Sequence, residues 1–313
     1  MTFCVCLKYT LLGIVILSYF LRKYAKGQKY TKKTLIENKV VIITGANTGI
    51  GKATAIDLAK RGGKVYIACR DEKRGEDALK EIKRESGSDN VHFIQLDLGS
   101  TESIREFSQK FHEKEEKLHI LINNAGIFAP PQKKTKDGFE ITIGVNHLGH
   151  FLLTHLLLDL LKNSAPSRII NVSSGAHKMV PIEKDDFMQT ARQSNMNAYA
   201  KSKLANVMFS QELVKKLKHF SVSVNSLHPG VVHTEITRSW PLWDFILNII
   251  FRPFLRTPVE GAQTQIRLAV DPALENVTGK YFENCKQAKV SKFALDHDIA
   301  EWLYKKSYEL VKL

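Results

Sequence analysis

Short apolar runs alternate with longer amphipathic stretches along the chain from Asn38 onward. The runs are nearly continuous in Val, Ile and Leu, as expected for strands covered on both faces. They lie at Val40–Ile43, Val65–Ala68, Val91–Leu96, Leu118–Ile122, Arg168–Val172 and Val222–Leu227. The stretches between them predict helices near Gly49–Arg61, Glu72–Glu85, Thr101–Glu115, Phe139–Leu161 and Ala198–Leu217. Strand and helix in alternation predict an α/β fold with a parallel, doubly wound sheet.

A late helix and a single domain follow from the same pattern. Thr257-Pro258-Val259-Glu260 matches a capping box with proline at the first helical position, and it predicts a helix to about Val270. No linker interrupts the chain after residue 37. We therefore predict one catalytic domain over residues 37–313, preceded by a separate N-terminal part over residues 1–36.

That N-terminal part begins with an apolar stretch from Phe3 to Leu21, interrupted by Lys8. As a helix it would reach about 28 Å, close to the thickness of a bilayer core. Basic residues follow the stretch and no small-residue cleavage site does, which favours an uncleaved membrane anchor over a signal peptide. The same basic flank places the catalytic domain in the cytosol, on the endoplasmic reticulum or another endomembrane.

The net charge of +14 is concentrated in this part of the chain. Residues 1–33 hold seven Lys or Arg and no acid, and no later basic run is interleaved with aromatics. The charge therefore indicates membrane lipid as a partner and argues against nucleic acid. The four cysteines have neither metal-ligand spacing nor the density of a disulfide scaffold, which fits a reducing compartment.

A glycine-rich turn follows the first predicted strand and precedes the first predicted helix. Its glycines permit a tight turn and close approach of the backbone to a ligand, and the helix N-terminus offers N–H groups to a pyrophosphate. The turn predicts a dinucleotide site whose residues are Gly45, Asn47, Thr48, Gly49, Ile50, Gly51 and Lys52.

Six further motifs follow in a fixed order, and with the glycine turn they resemble the short-chain dehydrogenase/reductase family. They are Asp97-Leu98, Asn124-Ala125-Gly126 after Asn123, Asn146, Ser173-Ser174, Tyr199-x-x-x-Lys203, and Pro229-Gly230 followed by Thr234. The resemblance covers residues 38 to about 285 and implies a Rossmann-type sheet. The residues around Asn47, His147 and Leu204 are similar to those of the microsomal retinol dehydrogenase subgroup.

The spacing of Tyr199 and Lys203 is itself a chemical reason to expect that they act together. Residues four apart share a helical face, so the lysine ammonium can lie beside the phenol. A nearby cation favours phenolate, and together with an oxidised nicotinamide it could bring the phenol pKa from near 10 towards 7. Tyr199 would then exchange a proton with the substrate oxygen.

The resemblance implies roles for the remaining site residues. Ser174 would hydrogen-bond the reacting oxygen, with Ser173 as the alternative, and Asn146 would support a proton-relay water. Lys203 would also hold the nicotinamide ribose. Further cofactor contacts are implied at Asp97, Leu98, Asn124, Ala125, Gly126, Tyr199, Pro229, Gly230, Val232 and Thr234.

The end of the second strand predicts NADP(H) in preference to NAD(H). An NAD site places an acid about 20 residues after the last glycine of the turn, whereas this chain has Arg70 there. A guanidinium can pair with the 2′-phosphate, with Lys52 assisting. Asp71 follows directly and would reverse the preference if it turned inward.

Three other features border the predicted site. His147, His150 and His177 match no zinc motif, so we predict structural roles for them and no metal. Lys178–Met196 predicts a surface loop near the substrate entrance. Trp240–Leu255 is apolar apart from a stripe of Asp244, Asn248 and Arg252, which predicts a lid at the membrane surface or a helix buried in the domain or in a homodimer.

These observations predict a membrane-tethered oxidoreductase that interconverts a lipophilic alcohol and its carbonyl compound, with retinol and retinal as the leading pair. A hydroxysteroid or general carbonyl reductase is the alternative within the same class. A catalytically idle binding protein of the same fold is the alternative from another class.

Overall fold

The structure of the chain, a computed structural model, describes residues 25–313 except for 129–133, 186, 189–193 and 234–254. It also describes residues 13, 18–20, 22 and 23. Across these residues eight strands form one sheet in the order β3-β2-β1-β4-β5-β6-β7-β8. Pairing is parallel throughout except between β7 and β8. The strands are β1 Val40–Thr44, β2 Lys64–Cys69, β3 Val91–Gln95, β4 Ile120–Asn123, β5 Ser167–Val172, β6 Val222–His228, β7 Tyr281–Glu283 and β8 Lys286–Ala288.

Helices cover both faces of this sheet, as the apolar runs predict. Successive side chains of a strand point to opposite faces. Val40 and Ile42 of β1 accordingly lie in one hydrophobic cluster, whereas Val41 and Ile43 lie in the other. A strand buried on both sides needs apolar residues at every position, which explains the unbroken runs of the sequence. The doubly wound, Rossmann-type fold is confirmed.

The helices begin and end close to the predicted positions. They are α1 Gly49–Lys60, α2 Glu72–Ser86, α3 Thr101–His112, α4 Ile141–Ile143, α5 Gly149–Leu156, α6 Leu158–Asn163, α7 Asn195–Lys216, α8 Pro258–Val270 and α9 His297–Leu310. The predicted capping box of α8 is present: the Thr257 hydroxyl accepts from the Glu260 backbone N–H, and the Glu260 carboxylate accepts from that of Thr257.

One long predicted helix, Phe139–Leu161, is divided in the structure. A π-helical turn, Gly144–Leu148, separates α4 from α5, and Leu157 separates α5 from α6. The apolar period of this stretch contains no signal for such a turn. Turns of this kind occur frequently at functional sites because they redirect side chains within a helix.

The loop predicted over Lys178–Met196 differs from a simple surface loop. Ile182 and Phe187 are buried in the main hydrophobic cluster, and the Phe187 ring lies edge-on to that of Trp302 in α9. The sequence analysis predicted neither α9 nor the β7–β8 hairpin. β7 and β8 have three residues each, too few to show a period.

The basic segment before β1 packs against the domain. The Tyr30 side chain is buried, and its backbone N–H donates to Gln263 in α8. Lys32 forms an ion pair with Asp271 at the end of α8. Most of the predicted anchor lies outside the described residues, and the boundary at residue 36 stays a prediction. No helix within the described parts of the chain is long and apolar enough to cross a membrane.

Candidate active site

The candidate site lies where β1, β4, β5 and β6 end. The strand order reverses direction between β1 and β4, because β2 and β3 lie on one side of β1 and the later strands on the other. In open parallel sheets, ligands bind in the crevice outside the carboxyl ends of the strands at this switch point. The loops after these four strands carry the motifs singled out in the sequence.

The glycine turn after β1 leaves room that side chains would fill. Gly45 has φ +65°, and a Cβ there would lie 2.8 Å from the Cα of Ala125. A Cβ at Gly51 would lie 2.6 Å from Asn124 Nδ2. The turn after β1 and the turn after β4 therefore approach each other closely, as a dinucleotide cradle requires.

Helix α1 starts inside this cradle, at Gly49. Its N-cap is Thr48 and its first turn contains no acidic side chain, so the positive end of the helix faces the crevice without a competing carboxylate. These residues fit a bound pyrophosphate. Lys52 instead forms an ion pair with Glu81 at 2.7 Å, so its ammonium is already engaged with a carboxylate. The proposed assistance of Lys52 to a 2′-phosphate has no support in this arrangement.

A buried hydrogen-bond network fixes the turn after β4. The Thr44 hydroxyl oxygen accepts from the backbone N–H groups of Asn124 (2.9 Å) and Ala125 (3.0 Å). The Asn124 side chain donates to the Thr44 carbonyl oxygen at 2.8 Å. Asn124 and Ala125 thus hold the cradle together through Thr44, which the sequence analysis missed.

His150 completes this network, and its tautomer follows from its partners. Nδ1 lies 3.0 Å from the carbonyl oxygen of Asn146, which can only accept, so Nδ1 carries the proton. Nε2 is then an acceptor for the Thr44 hydroxyl at 2.8 Å. Burial lowers the pKa of His150 to about 3, so the ring is neutral at physiological pH. The predicted structural role of His150 agrees with these contacts.

Tyr199 and Ser174 meet in the crevice. Their side chains share a hydrogen bond, and the Tyr199 ring is edge-on to that of Phe128 at 5.6 Å between centroids. Ser173 points away: it is buried, and its hydroxyl donates to the Lys203 carbonyl oxygen at 2.7 Å. Of the two serines, only Ser174 is placed to meet a substrate oxygen beside Tyr199.

The pKa of Tyr199 is raised in the protein alone. Burial disfavours the phenolate and is the larger influence, while the hydrogen bond to Ser174 favours it. The depression expected from Lys203, whose ammonium lies 5.6 Å from the ring centroid, does not outweigh burial here. The resting tyrosine therefore holds its proton at neutral pH.

Lys203 lies four residues after Tyr199 on α7, buried beside Gly126. Its Nζ donates to the carbonyl oxygen of Val172 at 3.1 Å, and it would lie 3.2 Å from a Cβ at Gly126. Burial lowers the pKa of Lys203 to about 8. A side chain at 126 would crowd the lysine where it reaches the end of β5, next to the cofactor cradle.

Asn146 lies in the π turn and joins three elements. Its Oδ1 accepts from the Ile127 N–H at 2.8 Å, and its Nδ2 donates to the Ile127 carbonyl oxygen and the Ser202 hydroxyl, both at 3.0 Å. Its own carbonyl oxygen accepts from His150 Nδ1 and from Asn206 Nδ2, each at 3.0 Å. Both lone pairs of that oxygen are therefore engaged by protein donors.

Asn206 is a buried residue of the site that the sequence analysis missed. Its Nδ2 donates to the carbonyl oxygens of Asn146 (3.0 Å) and Val172 (3.4 Å), which fixes the orientation of the amide. Its Oδ1 accepts from His147 Nδ1 at 3.3 Å, and His147 Nε2 accepts from the Ser307 hydroxyl at 2.9 Å. A chain of hydrogen bonds thus runs from α9 to the site.

His177 supports Ser174 from the loop after β5. Its Nδ1 donates to the Ser174 carbonyl oxygen at 2.7 Å, and its Nε2 accepts from the Ser291 N–H at 3.1 Å. Burial lowers the pKa of His177. The three histidines of the sequence analysis are thus bound within the protein. Groups of His, Cys, Asp and Glu that could hold a metal ion are absent from the described residues.

Arg70 lies at the end of β2 on the rim of a cavity of about 250 Å³, which Gln95, Asp97, Ser100, Ser103, Glu102, Glu106 and Lys136 also line. Its guanidinium is exposed. The Asp71 carboxylate accepts from the Arg74 N–H at 2.9 Å and caps α2, so it turns towards the helix and not into the cavity. Lys136 was not predicted from the sequence, because it lies between Gly126 and Asn146 and belongs to no motif.

The loop after β6 closes the site. Gly230 has φ +90°, and the Pro229 carbonyl oxygen accepts from Arg256 at 2.9 Å. Val232 packs against the position of Gly261 in α8 and pairs with Arg256 in a short β-bridge. Leu98 is buried in the main hydrophobic cluster. Thr234 and nearly all of Trp240–Leu255 lie outside the described residues.

Comparison with known proteins agrees with this geometry. The model of the short chain dehydrogenase family matches residues 39–244. This chain belongs to the short-chain dehydrogenase family. It is 48% identical to retinol dehydrogenase 12 of Mus musculus over 291 residues, which cover 93% of this chain and 92% of that protein. It is 46% identical to retinol dehydrogenase 13 of Homo sapiens over 310 residues, covering 97% and 93%.

Solved structures show the same fold. A protein from Mycobacterium paratuberculosis superposes with a TM-score of 0.75 at 32% identity, covering 91% of this chain and 98% of that one. A short chain dehydrogenase from Escherichia coli CFT073, solved with NADPH, superposes with a TM-score of 0.66 at 24% identity, covering 82% and 100%. The family and its retinol dehydrogenase subgroup, expected from the motifs, are confirmed. The protein is an oxidoreductase of this family, whose fold binds a nicotinamide cofactor.

Proposed function

We propose that this protein is a membrane-tethered, NADP(H)-dependent oxidoreductase that interconverts retinol and retinal or closely similar lipophilic alcohols and carbonyl compounds. The observation that carries the proposal is the joint placement of Tyr199, Ser174 and Lys203 beside the glycine cradle. The retinoid substrate is inferred from relatives that carry the name retinol dehydrogenase and cover more than nine-tenths of the chain.

The reaction requires a proton and a hydride to reach the two ends of one carbonyl group. When bound, the nicotinamide supplies the hydride, or accepts it in the reverse direction. Tyr199 donates its proton to the carbonyl oxygen, and Ser174 hydrogen-bonds the same oxygen. Lys203 is close enough to stabilise the tyrosinate that remains, and solvent returns the proton.

The protonation state of the free site favours reduction. Burial raises the pKa of Tyr199, so the phenol carries the proton that a carbonyl substrate needs. Oxidation of an alcohol needs the opposite state, which the positive charge of an oxidised nicotinamide would help to produce. Comparing reduction and oxidation rates across pH tests this assignment of direction.

The preference for NADP(H) is supported by two observations at the end of β2. Arg70 and Lys136 line the cavity beside the predicted adenosine position, and the Asp71 carboxylate is turned away to cap α2. The same cavity is also lined by the acidic residues Asp97, Glu102 and Glu106. The choice of cofactor therefore depends on Arg70 and Lys136 being nearer the 2′ position than these acids.

The location is proposed from the sequence alone. The apolar stretch Phe3–Leu21 and its basic flank favour an endomembrane such as the endoplasmic reticulum, with the catalytic domain in the cytosol. Membrane lipid is then a partner, and it offers a route for a poorly soluble substrate.

Light scattering of the detergent-solubilised protein would decide between a monomer and a homodimer.

The test is a substrate panel with the purified full-length protein. All-trans-retinal, a steroid ketone and a small soluble aldehyde are compared with NADPH and with NADH. The highest kcat/KM is expected for retinal with NADPH. A steroid ketone as the best substrate would favour the hydroxysteroid alternative, and equal rates on all three a general carbonyl reductase. Cofactor binding without turnover on any substrate would favour the idle binding protein.

A further inference from the structure

Arg256 joins three separate parts of the chain at the mouth of the site. Its Nε donates to the Ala25 carbonyl oxygen at 2.8 Å, and its Nη1 donates to the Pro229 carbonyl oxygen at 2.9 Å. Its Nη2 donates to Asn284 Oδ1 at 3.2 Å, in the turn between β7 and β8. One guanidinium therefore connects the N-terminal segment to the loop that closes the cofactor site.

Two glycines make room for this guanidinium. Gly230 has φ +90°, and a Cβ there would lie 2.6 Å from Arg256 Nε. Gly27 has φ +70°, and a Cβ there would collide with the same guanidinium and with Asn284. A side chain at either position would displace Arg256, and the left-handed backbone itself favours glycine. The guanidinium therefore fits only where glycine stands at both positions, at 27 in the N-terminal segment and at 230 in the Pro-Gly motif.

Arg22 makes a second connection next to the first. Its Nη2 pairs with both Glu260 carboxylate oxygens at 2.9 Å, and its Nη1 donates to the Leu255 carbonyl oxygen at 3.0 Å. Glu260 is the N3 residue of the capping box of α8. Leu255 and Arg256 precede α8, so Arg22 holds the chain at the start of that helix.

Beyond Arg22, the N-terminal segment makes further contacts with the β7–β8 turn and with α8. The Gln28 N–H donates to Asn284 Oδ1 at 2.6 Å, and Cys285 Sγ lies 3.4 Å from the Gln28 carbonyl oxygen. Tyr30 is buried, with its N–H bonded to Gln263. Residues 22–30 thus make side-chain and backbone contacts on the domain over their described length.

We propose that residues 22, 23 and 25–30 form part of the wall of the active site, and that Arg256 and Arg22 are positioning residues for the loop after β6. Arg256 acts directly on Pro229 and Gly230, and Arg22 acts through Leu255, the neighbour of Arg256. Together they set the backbone against which the nicotinamide end of the cofactor lies. The segment that leads to the membrane is then the same segment that shapes the cofactor site. The inference rests on the proposed function only for the choice of cofactor.

The test compares full-length variants with a matched control. Arg256→Lys keeps the charge but cannot reach three acceptors, and Arg22→Gln removes the ion pair. Arg105 also donates to two backbone carbonyl oxygens, those of Val311 and Lys312, which belong neither to the N-terminal segment nor to the loop after β6. Arg105→Lys is therefore the control. Dissociation constants for NADPH are measured by cofactor fluorescence, together with kcat, KM and the thermal midpoint.

Arg256→Lys is expected to weaken NADPH binding about tenfold, the loss of one charge-assisted contact, with a smaller change in kcat. Arg22→Gln is expected to weaken it about threefold. Arg105→Lys should bind as the parent does. Equal binding by Arg256→Lys and Arg105→Lys, both folded, would overturn the proposal. If Arg256→Lys fails to fold, Arg22→Gln decides, and parent-like binding by that variant overturns it.

Two truncations give an independent comparison. Removing residues 1–21 leaves every contact described above, whereas removing residues 1–33 deletes both the Arg22 pair and the Arg256–Ala25 bond. The shorter truncation should bind NADPH as the full chain does, and the longer one should bind at least tenfold more weakly or fail to fold. Equal binding and equal stability of the two would overturn the proposal. The proposed function is tested on the unaltered chain, so its failure can be told apart from the failure of this proposal.

Discussion

Lys203 and Asn206, three residues apart on α7, donate to the same acceptor, the carbonyl oxygen of Val172 at the end of β5. Asn206 uses its second amide proton for the carbonyl oxygen of Asn146. The two residues thus fix the distance between the helix that carries Tyr199 and the strand that ends at Val172. We infer that the geometry of the catalytic group depends on both.

Replacing Tyr199 by phenylalanine tests the catalytic assignment. The variant should fold and bind NADPH, because only the phenol oxygen is removed, while kcat falls by about 10²–10⁴, the usual contribution of a general acid. Tyr308→Phe, an exposed tyrosine on α9, is the control. A Tyr199→Phe variant that kept its rate within about tenfold would exclude proton donation by this residue.

Asn206→Leu tests whether the shared acceptor matters. It removes both donors without changing the side-chain size greatly, so we expect kcat to fall at least about tenfold. Ser307→Ala removes only the far end of the hydrogen-bond chain and should stay within about twofold. Rates are compared at equal intervals below each thermal midpoint, so that lower stability alone is not counted. Equal rates for the two variants would contradict a positioning role for Asn206.

Arg70→Gln tests the cofactor preference. The kcat/KM ratio of NADPH to NADH should fall by about tenfold or more, because a charge-assisted contact to the 2′-phosphate is lost. Lys73→Gln, at the exposed second residue of α2, should leave the ratio unchanged. A parent protein that prefers NADH would already remove the basis of this prediction.

Cofactor affinity should depend on pH through Lys203. Burial lowers the pKa of Lys203 to about 8, so the ammonium loses its proton as the pH rises through that value. NADPH carries several negative charges, and its binding should weaken between pH 7 and pH 9. In Lys203→Met, binding should be weaker throughout and flat over this range. A slope that persists in the variant would assign the titration to another group.

Buried histidines should make the fold sensitive to mild acid. Burial lowers the pKa of His150 to about 3 and those of His147 and His155 to about 4. The unfolded chain takes up protons as the pH falls through about 6.5, whereas the folded chain does not, so the free energy of unfolding decreases. At pH 5 the loss is at most about 2 kcal/mol per histidine. Urea unfolding at pH 7 and pH 5 measures it, and replacing His155 with Gln should reduce the difference. Replacing the exposed His219 with Gln should not.

The sequence predicted the sheet and the catalytic group because both depend on local patterns. A strand buried on two faces must be apolar throughout, and Tyr199 and Lys203 must be four apart to share a helical face. No local pattern predicts the contacts of Arg256, since its partners Ala25, Pro229 and Asn284 are distant along the chain. Asn206 was missed for the same reason: its importance comes from carbonyl groups of other elements. Hydrophobic periodicity carries no information about such acceptors.

The π turn at Gly144–Leu148 has a consequence for insertions and deletions. Such a turn contains one residue more than an α-helical turn, and each residue of a helix advances the azimuth by about 100°. Losing one residue here would rotate α5 about its own axis while leaving its length nearly unchanged. His150 would then leave Thr44, and Phe151 would leave the core. The spare residue thus sets the angular phase of α5, and this stretch should not tolerate a change in its length.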